Sequence, residues 1–290
     1  MTHLLRSSSQ LVNPMNRQRF MGFGTGAGGS GETPNSTEAQ AWFNRLMPYP
    51  TASRELILGT FVDSLVAAGL GEAFDVLYVN CLENVSNALT DVWRTDRQGR
   101  IFQATSGLTF TANRGFSGGV SGHYVDTRFN PSTAVGARYT LNDASIFYWG
   151  HSADGAASIN QYVAFAATDA APQTLLSQLG WAPSWSNLAY ININCVTQTS
   201  ATNSVGYNRF NLVQRTAASG AGSTIYYGDT NTAIVSSSQA STALPNGTIR
   251  FRGAHPTSIM GIGRSLNSAE RVALRAACIA LVTSLTGGLP

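Results

Sequence analysis

The sequence predicts a mainly β protein, an antiparallel sandwich or barrel with helices before it and a helix after it. Three observations predict this. From about Ile101 to Gly263 apolar residues recur with a period of two, and β-branched and aromatic residues are separated by Gly, Asn, Asp, Ser and Pro turns. Within that stretch no helical segment intervenes, so its short strands connect as in an antiparallel fold. On either side the period shifts to that of a helix. A chain of 290 residues holds one large domain, or one domain with an appendage.

Residues 1–36 come first. They carry Arg6, Arg17, Arg19 and Phe20, a few isolated apolar residues, and then "GFGTGAGGSGETPNS". Such a segment cannot bury enough apolar surface to order itself, so it reads as a docking arm. The phosphate-loop reading of "GTGAGGSG" lacks its required context: no Lys-Ser/Thr pair follows it and no apolar strand precedes it. Residues 37–98 read as a helical layer. "STEAQAWFNRLM" opens with a Ser/Thr cap and an early Glu, presents Trp42, Phe43 and Leu46, and stops at Pro48-Tyr49-Pro50. "TASRELILGTFVDSLVAAG" spaces Leu56, Ile57, Phe61, Leu65 and Ala68 at helical intervals and stops at Gly69. A third helix is expected in "EAFDVLYVNCLENVSNAL", where Phe74, Leu77, Tyr78 and Leu82 share a side.

Residues 99–265 form the expected β region. Its candidate strands are "HYVDTRF", "ASIFYWG", "NQYVAFAA", "LAYININCVT", "GYNRFNLVQRT", "STIYYGD", "GTIRFRG" and "SIMGIGRS", with Pro245-Asn246-Gly247 as a hairpin signal. Residues 266–290 read as a closing helix. Asn267 stands three residues before Glu270 in capping-box spacing, Gly287-Gly288 follows, and Arg271 and Arg275 mark the outward face. The other sides are apolar and should dock on the sheet or on the first helices.

Composition narrows the function. Charged residues make up 11% of the chain, against roughly 25% in an average soluble domain, so hydroxyls and amides carry most of the surface. All 18 basic residues are Arg and none is Lys. Base composition of the coding DNA accounts for this, and a permanent assembly part, where Arg packs and pairs better than Lys, is also compatible with it. Net charge is +3 without a basic cluster, so no nucleic-acid footprint and no polybasic membrane anchor is visible. No signal-peptide h-region and no apolar run of membrane-spanning length occurs, and the expectation is a soluble protein made in a cytoplasm. Cys81, Cys195 and Cys278 are too widely spaced for a metal-binding group and are expected to be free and buried.

Catalytic chemistry is poorly supplied. His3, His123, His151 and His255 are the only histidines, no GxSxG elbow is present, and His123 sits at an ordinary strand position. From residue 101 to 263 the acids are Asp126, Asp143, Asp154, Asp169 and Asp229, with no Glu. Glycoside hydrolysis would need two carboxylates flanking the bond, and calcium would need aspartates at a spacing that does not occur. The expectation is therefore no catalytic residue, no metal, no cofactor and no enzymatic activity. Binding is better supplied. Tyr148, Trp149, Trp181, Trp185, Tyr226 and Tyr227 lie at strand ends or in loops beside amide, acid and imidazole side chains suited to hydroxyl-rich ligands. Tyr148, Trp149, His151, Asp154, Tyr227 and Asp229 are the candidate ligand-binding residues. The alternative for each aromatic is a place in the sandwich core.

The stretch "GFSGGVSGHYVDTRFNPSTAVGARYTLNDASIFYW", with "WFNRLMPYPTASRELILGTFVDSLVAAGLGEAFDVLYV" upstream and "IMGIGRSLNSAERVAL" downstream, resembles the concanavalin A-like jelly-roll domains of tailed bacteriophages and prophages. The resemblance covers roughly residues 38–288. It implies a jelly-roll sandwich in a virion protein of the tail, baseplate or capsid surface, made in a bacterial host's cytoplasm. Its implied partners are other virion proteins, further copies of itself, as a trimer, and a host-surface glycan. Residues 1–36 would be the arm that docks on the particle. A polysaccharide-degrading enzyme on the same scaffold is the alternative. No family catalytic residue carries over, since fold does not decide function. Residues 115–131 are expected to be architectural, with Gly118, Gly119 and Gly122 allowing tight bends.

Overall fold

The period-two runs fold as strands of two antiparallel sheets. The computed structural model describes residues 35–96, 98–102, 108–117, 124–150, 161–167, 177–182, 188–195, 197, 199–202, 210–228, 231–252 and 257–287. Along the chain these give α1 (Thr37–Phe43), α2 (Ala52–Ala67), β1 (Phe74–Val79), α3 (Val85–Ala88), β2 (Arg100–Phe102), β3 (Thr109–Thr111), β4 (Gly115–Ser117), β5 (Tyr124–Asp126), β6 (Ala144–Gly150) and β7 (Gln161–Ala167). They continue with β8 (Ser177–Ala182), β9 (Leu188–Ile193), β10 (Thr199–Thr202), β11 (Phe210–Arg215), β12 (Thr224–Tyr227), β13 (Ala233–Ser237), β14 (Thr248–Arg252), β15 (Thr257–Gly263) and α4 (Ser268–Thr286). Sheet one has the order β13-β12-β11-β6-β15-β4-β3, with β1 also paired to β15. Sheet two has the order β10-β9-β8-β7-β14-β5-β2. The chain is thus the mainly antiparallel β-sandwich, with helices before and after, that the sequence predicts.

Sheet one is buried on both faces. Phe147 and Trp149 of β6, with Phe210, Leu212, Tyr227 and Ile259, pack against Trp42 and Phe43 of α1, Leu58, Phe61 and Leu65 of α2, and Leu274, Cys278 and Leu281 of α4. The alternate residues Ile146 and Tyr148, with Val213, Tyr226, Met260 and Ile262, pack on Ile191, Ile193, Ile249 and Phe251 of sheet two. Each fully buried large apolar side chain contributes about 1.5–3 kcal/mol relative to exposure, so Trp42, Phe43 and Leu46 suffice to hold the short helix α1 in place. The three thiols are free and buried. Burial pushes the Cys81 thiol up to about 12, so it stays protonated and behaves as a small apolar group.

The helix expected over "EAFDVLYVNCLENVSNAL" is a finding against the sequence reading. Its first part is β1, buried at all six positions and paired with β15 from Val79↔Ile259 to Phe74↔Gly263, and only Val85–Ala88 is helical. A strand covered on both faces loses the alternation that identifies it, and a continuous apolar run then fits either structure. The closing helix is as predicted. Asn267 and Glu270 form a reciprocal capping box, and Gly287 ends the helix at φ 77°.

Polar staples join these layers. Arg45 of the α1–α2 connection donates to the carbonyls of Asp91, Arg94 and Val92 at 2.8, 2.6 and 2.7 Å. Asp75 of β1 accepts from the amides of Arg138 and Tyr139 at 2.9 and 2.7 Å. Asp91 is fully buried and accepts from the amides of Leu77, Trp93 and Arg94. Loss of hydration there outweighs those bonds and pushes its carboxyl up to about 6. A folded-state value above the unfolded one means that the folded protein binds the proton more tightly. Its contribution to stability is complete below about pH 4 and is lost as pH rises through about 6, by at most about 3 kcal/mol. Denaturant melts at pH 4.5 and 7.5 should show this fall in the wild type, and Asp91→Asn should flatten it. Equal pH dependence in both proteins would contradict the assignment.

Candidate ligand-binding face

The residues singled out in the sequence fall in three places. Tyr148 and Trp149 are core side chains, 1% and 2% exposed, on opposite faces of β6. They fill the two cores and cannot meet a ligand from solvent, because β6 is covered on both sides. Tyr227 is 8% exposed on the helix side of β12, with the Arg271 guanidinium 4.0 Å above its ring. Tyr226 beside it faces the other core, and its hydroxyl donates to Asn211 Oδ1 at 2.6 Å. His151, Asp154, Asp229, Trp185, His123, Gly118, Gly119 and Gly122 lie outside the described residues, as do Arg6, Arg17, Arg19 and Phe20 of the arm.

Helices α1, α2 and α4 pack on sheet one, and on the face of sheet two turned away from it the Asp126 and Arg250 side chains are 20% and 14% exposed. Period-two alternation sorts its residues. Val125, Ile249, Phe251, Ile191 and Ile193 point into the core between the sheets. The intervening positions form rows on the outer face. Register aligns Arg100 with Asp126, Asp126 with Arg250, Arg250 with Phe165, Phe165 with Gln178 and Gln178 with Asn192, one row across six strands. In the adjoining row Phe102, Tyr124 and Arg252 are aligned. Further along the sheet Tyr162, Gly180, Tyr190 and Ser200 are in register.

The centre of this face is a small cluster. The Arg250 guanidinium lies 4.4 Å from the centroid of the Tyr124 ring, an electrostatic contact with the ring face. Arg250 Nε is 3.6 Å from Asp126 Oδ2, an ion pair longer than a hydrogen bond. Thr248 Oγ1 donates to the same oxygen at 3.0 Å, and the Arg128 amide donates to Asp126 Oδ1 at 2.8 Å. The side chains of Arg250 and Asp126 are 14% and 20% exposed. The carboxylate is therefore oriented from three directions, and the cation from two. A preset acid, base and aromatic ring on a polar sheet face can recognise a ligand rich in hydroxyl groups, which both donate and accept. Among the described residues no group of three His, Cys, Asp or Glu side chains is placed to hold a metal ion.

Sequence reading missed this cluster, apart from counting Asp126 among the acids. The signal was present in "GTIRFRG": with Ile249 and Phe251 inward, Thr248 and Arg250 must point outward. What the sequence lacked was the pairing that sets β5 beside β14, 122 residues away.

No family model and no curated protein matches the chain. It is similar to the solved structure of the Trypanosoma rangeli sialidase, with a TM-score of 0.47 and 10% identity over 82% of this chain and 40% of that one. It is also similar to domain 4 of AbnA, a GH43 extracellular arabinanase from Geobacillus stearothermophilus in complex with arabinotriose, with a TM-score of 0.43 and 11% identity over 70% and 99%. A third similar structure is the binding domain of botulinum neurotoxin serotype D, with a TM-score of 0.44 and 14% identity over 73% and 52%. The chain spans about 40% of the length of the sialidases it matches. The expectation that the chain is not an enzyme is withdrawn beside these likenesses, which include sialidases, one of them with a covalent intermediate. At these TM-scores the likeness carries no activity over to this chain.

Proposed function

We propose that the chain recognises host-surface glycan through the outer face of sheet two, as a component of a bacteriophage particle. The observation that carries the glycan reading is the cluster of Tyr124, Asp126, Thr248 and Arg250, preset by an ion pair, a ring contact and two hydrogen bonds on the face of sheet two turned away from sheet one. Sheet faces exposed only to water are filled by Thr, Ser and Lys as readily as by anything else. Here the described positions carry instead an ion pair and an aromatic ring, opposite an apolar inner row. The particle reading rests on the phage-like phrases around "HYVDTRFNP" and "IMGIGRSLNSAERVAL". In it, residues 1–34 form the docking arm and the chain assembles as a trimer with other virion proteins. The boundary moves back from residue 36, because Ser36 Oγ accepts from the Ala39 amide to cap α1 and the Ser36 amide donates to Asp63.

Two experiments test this. In titrations with oligosaccharides cut from the host's capsule or lipopolysaccharide, the full chain should bind and Arg250→Ala with Tyr124→Ala should bind at least about tenfold more weakly, the equivalent of about 1.4 kcal/mol. Unchanged affinity with an intact melting transition would overturn the outer face as the site. Release of reducing ends during the titration would make the bound glycan a substrate, the polysaccharide-degrading alternative. For the particle, deletion of residues 1–34 should leave the melting transition in place and abolish incorporation. Loading of the truncated protein, or absence of the full chain from purified particles, would refute that part.

A further inference from the structure

The start of α4 borders a second opening, on the helix side of sheet one and therefore separate from the outer face of sheet two. It is an open cleft of about 450 Å³ floored by Gln214 of β11 and by Ile225 and Tyr227 of β12. Asp143, the segment Arg264–Asn267 and the first turn of α4 wall it. The wall is rigid. Arg264 holds Glu270 through two contacts, Nη2 to Oε1 at 2.6 Å and Nη1 to Oε2 at 3.0 Å. Arg271 Nη1 donates to the Leu266 carbonyl at 2.7 Å, and its Nε to Asn231 Oδ1 at 2.9 Å.

Several polar atoms of this wall are half used. Gln214 is only 2% exposed, and its Oε1 accepts from the Leu266 amide at 3.0 Å, yet its Nε2 has no hydrogen-bond partner among the described residues. The little exposure this side chain keeps is at Nε2, which opens to the cleft, where water or a ligand oxygen can accept from it. Asp143 Oδ1 accepts from the Ser265 amide at 2.7 Å, while Oδ2 has no partner among the described residues. The Tyr227 hydroxyl has none either. Arg271 covers the ring of Tyr227, so this tyrosine offers its hydroxyl and not a stacking face.

The geometry points to a second binding site in this cleft, for a neutral hydroxyl-rich ligand with neighbouring hydroxyls, of the saccharide class. Gln214 Nε2 donates to one ligand oxygen and Asp143 Oδ2 accepts from the next, a pairing that a vicinal diol satisfies at both ends. The charged lining cancels, with Arg264 and Arg271 against Asp143 and Glu270. Glu270 is held as a carboxylate, because the hydrogen bond from Arg264 lowers its carboxyl below the usual range. Both cations are engaged within the wall, Arg264 by Glu270 and Arg271 by Leu266 and Asn231, whereas Asp143 is part of the site itself, so a carboxylate placed on it would meet like charge.

Saturation-transfer NMR on the full chain tests this, with D-glucose, D-galactose and D-mannose as neutral probes and the corresponding uronates as anionic ones. At least one neutral sugar should bind, and its uronate should bind more weakly. Gln214→Glu keeps the acceptor for the Leu266 amide and removes the donor; Asp143→Asn keeps the acceptor for Ser265 and removes the free one. Each should weaken the neutral sugar about fivefold, the value of one hydrogen bond. These titrations are run in the Tyr124→Ala, Arg250→Ala background, which removes the outer face of sheet two as a source of signal, and Val135→Ser, at a residue 98% exposed and outside the cleft, should leave the remaining binding unchanged. The inference falls if no neutral sugar binds, if uronates bind as tightly, or if both cleft variants bind as the wild type does. Should either variant unfold, a crystal soaked with the bound sugar decides: density between Gln214 and Asp143 supports the site, and density elsewhere refutes it.

Discussion

Replacing Arg215 with Met should lower the folding free energy by about 3–5 kcal/mol, and replacing it with Lys should recover little of that loss. Arg215 is fully buried at the end of β11, and none of the ion pairs among the described residues includes it. Its guanidinium instead donates to main-chain carbonyls: Nε to Ile193 at 2.7 Å, Nη1 to Ala217 at 3.0 Å and Ala218 at 3.4 Å, and Nη2 to Gln239 at 3.0 Å. One side chain thus ties sheet one to the end of β9 in sheet two and to two turns. Methionine fills much of the volume but strands these acceptors, at about 1–3 kcal/mol for each one that water cannot reach. An ammonium carries its three donors on one nitrogen and cannot span the four carbonyls that the three guanidinium nitrogens reach. Relief of a buried charge works in the opposite sense, so the experiment discriminates: denaturant melts showing Arg215→Met as stable as wild type would mean that the charge costs as much as its bonds contribute.

Gly263→Ala should cost about 3 kcal/mol or more, and clearly more than Gly261→Ala two residues earlier. A Cβ at Gly263 would lie 2.0 Å from the Ala73 carbonyl oxygen and 2.8 Å from Phe74 Cα. Those are backbone atoms of the chain entering β1, and the same carbonyl accepts from the Arg264 amide at 3.0 Å. Relief requires separating β1 from β15, which removes the pairing that attaches β1 to sheet one. A Cβ at Gly261 would instead meet the ring of Phe147 at 2.1 Å, and a ring can turn at lower cost than a strand can move. Thermal melts of the two variants give the ranking. The reverse order, or two mild losses, would show that β1 can shift.

Strands set off by turn residues could be read from the sequence, and so could the last helix. "ASIFYWG", buried on both faces, and "GTIRFRG", with one polar face, carry β6 and β14 within a residue of their observed ends, and Asn267, Glu270 and Gly287 mark α4 by capping chemistry that acts locally. Where two-sided burial follows directly on a helical run, the local signal is ambiguous. β1 lost its alternation to that cause, and Tyr148 and Trp149 looked like ligand-facing aromatics for the same reason. The ligand-binding face was illegible on other grounds: Tyr124, Asp126 and Arg250 are ordinary strand residues one by one. They become a cluster only when β5 and β14 pair across 122 residues, which no short-range pattern encodes. Gln214 is similar. Its unfilled Nε2 is visible only after Leu266 has taken its Oε1.

The most direct test of the account is a crystal structure of the full chain with a host-surface oligosaccharide that binds it in solution. The account predicts sugar density across the outer face of sheet two, with hydroxyls in hydrogen-bond reach of Asp126 and Arg250. Density confined to other surfaces, with that face bare at saturating ligand, would contradict it.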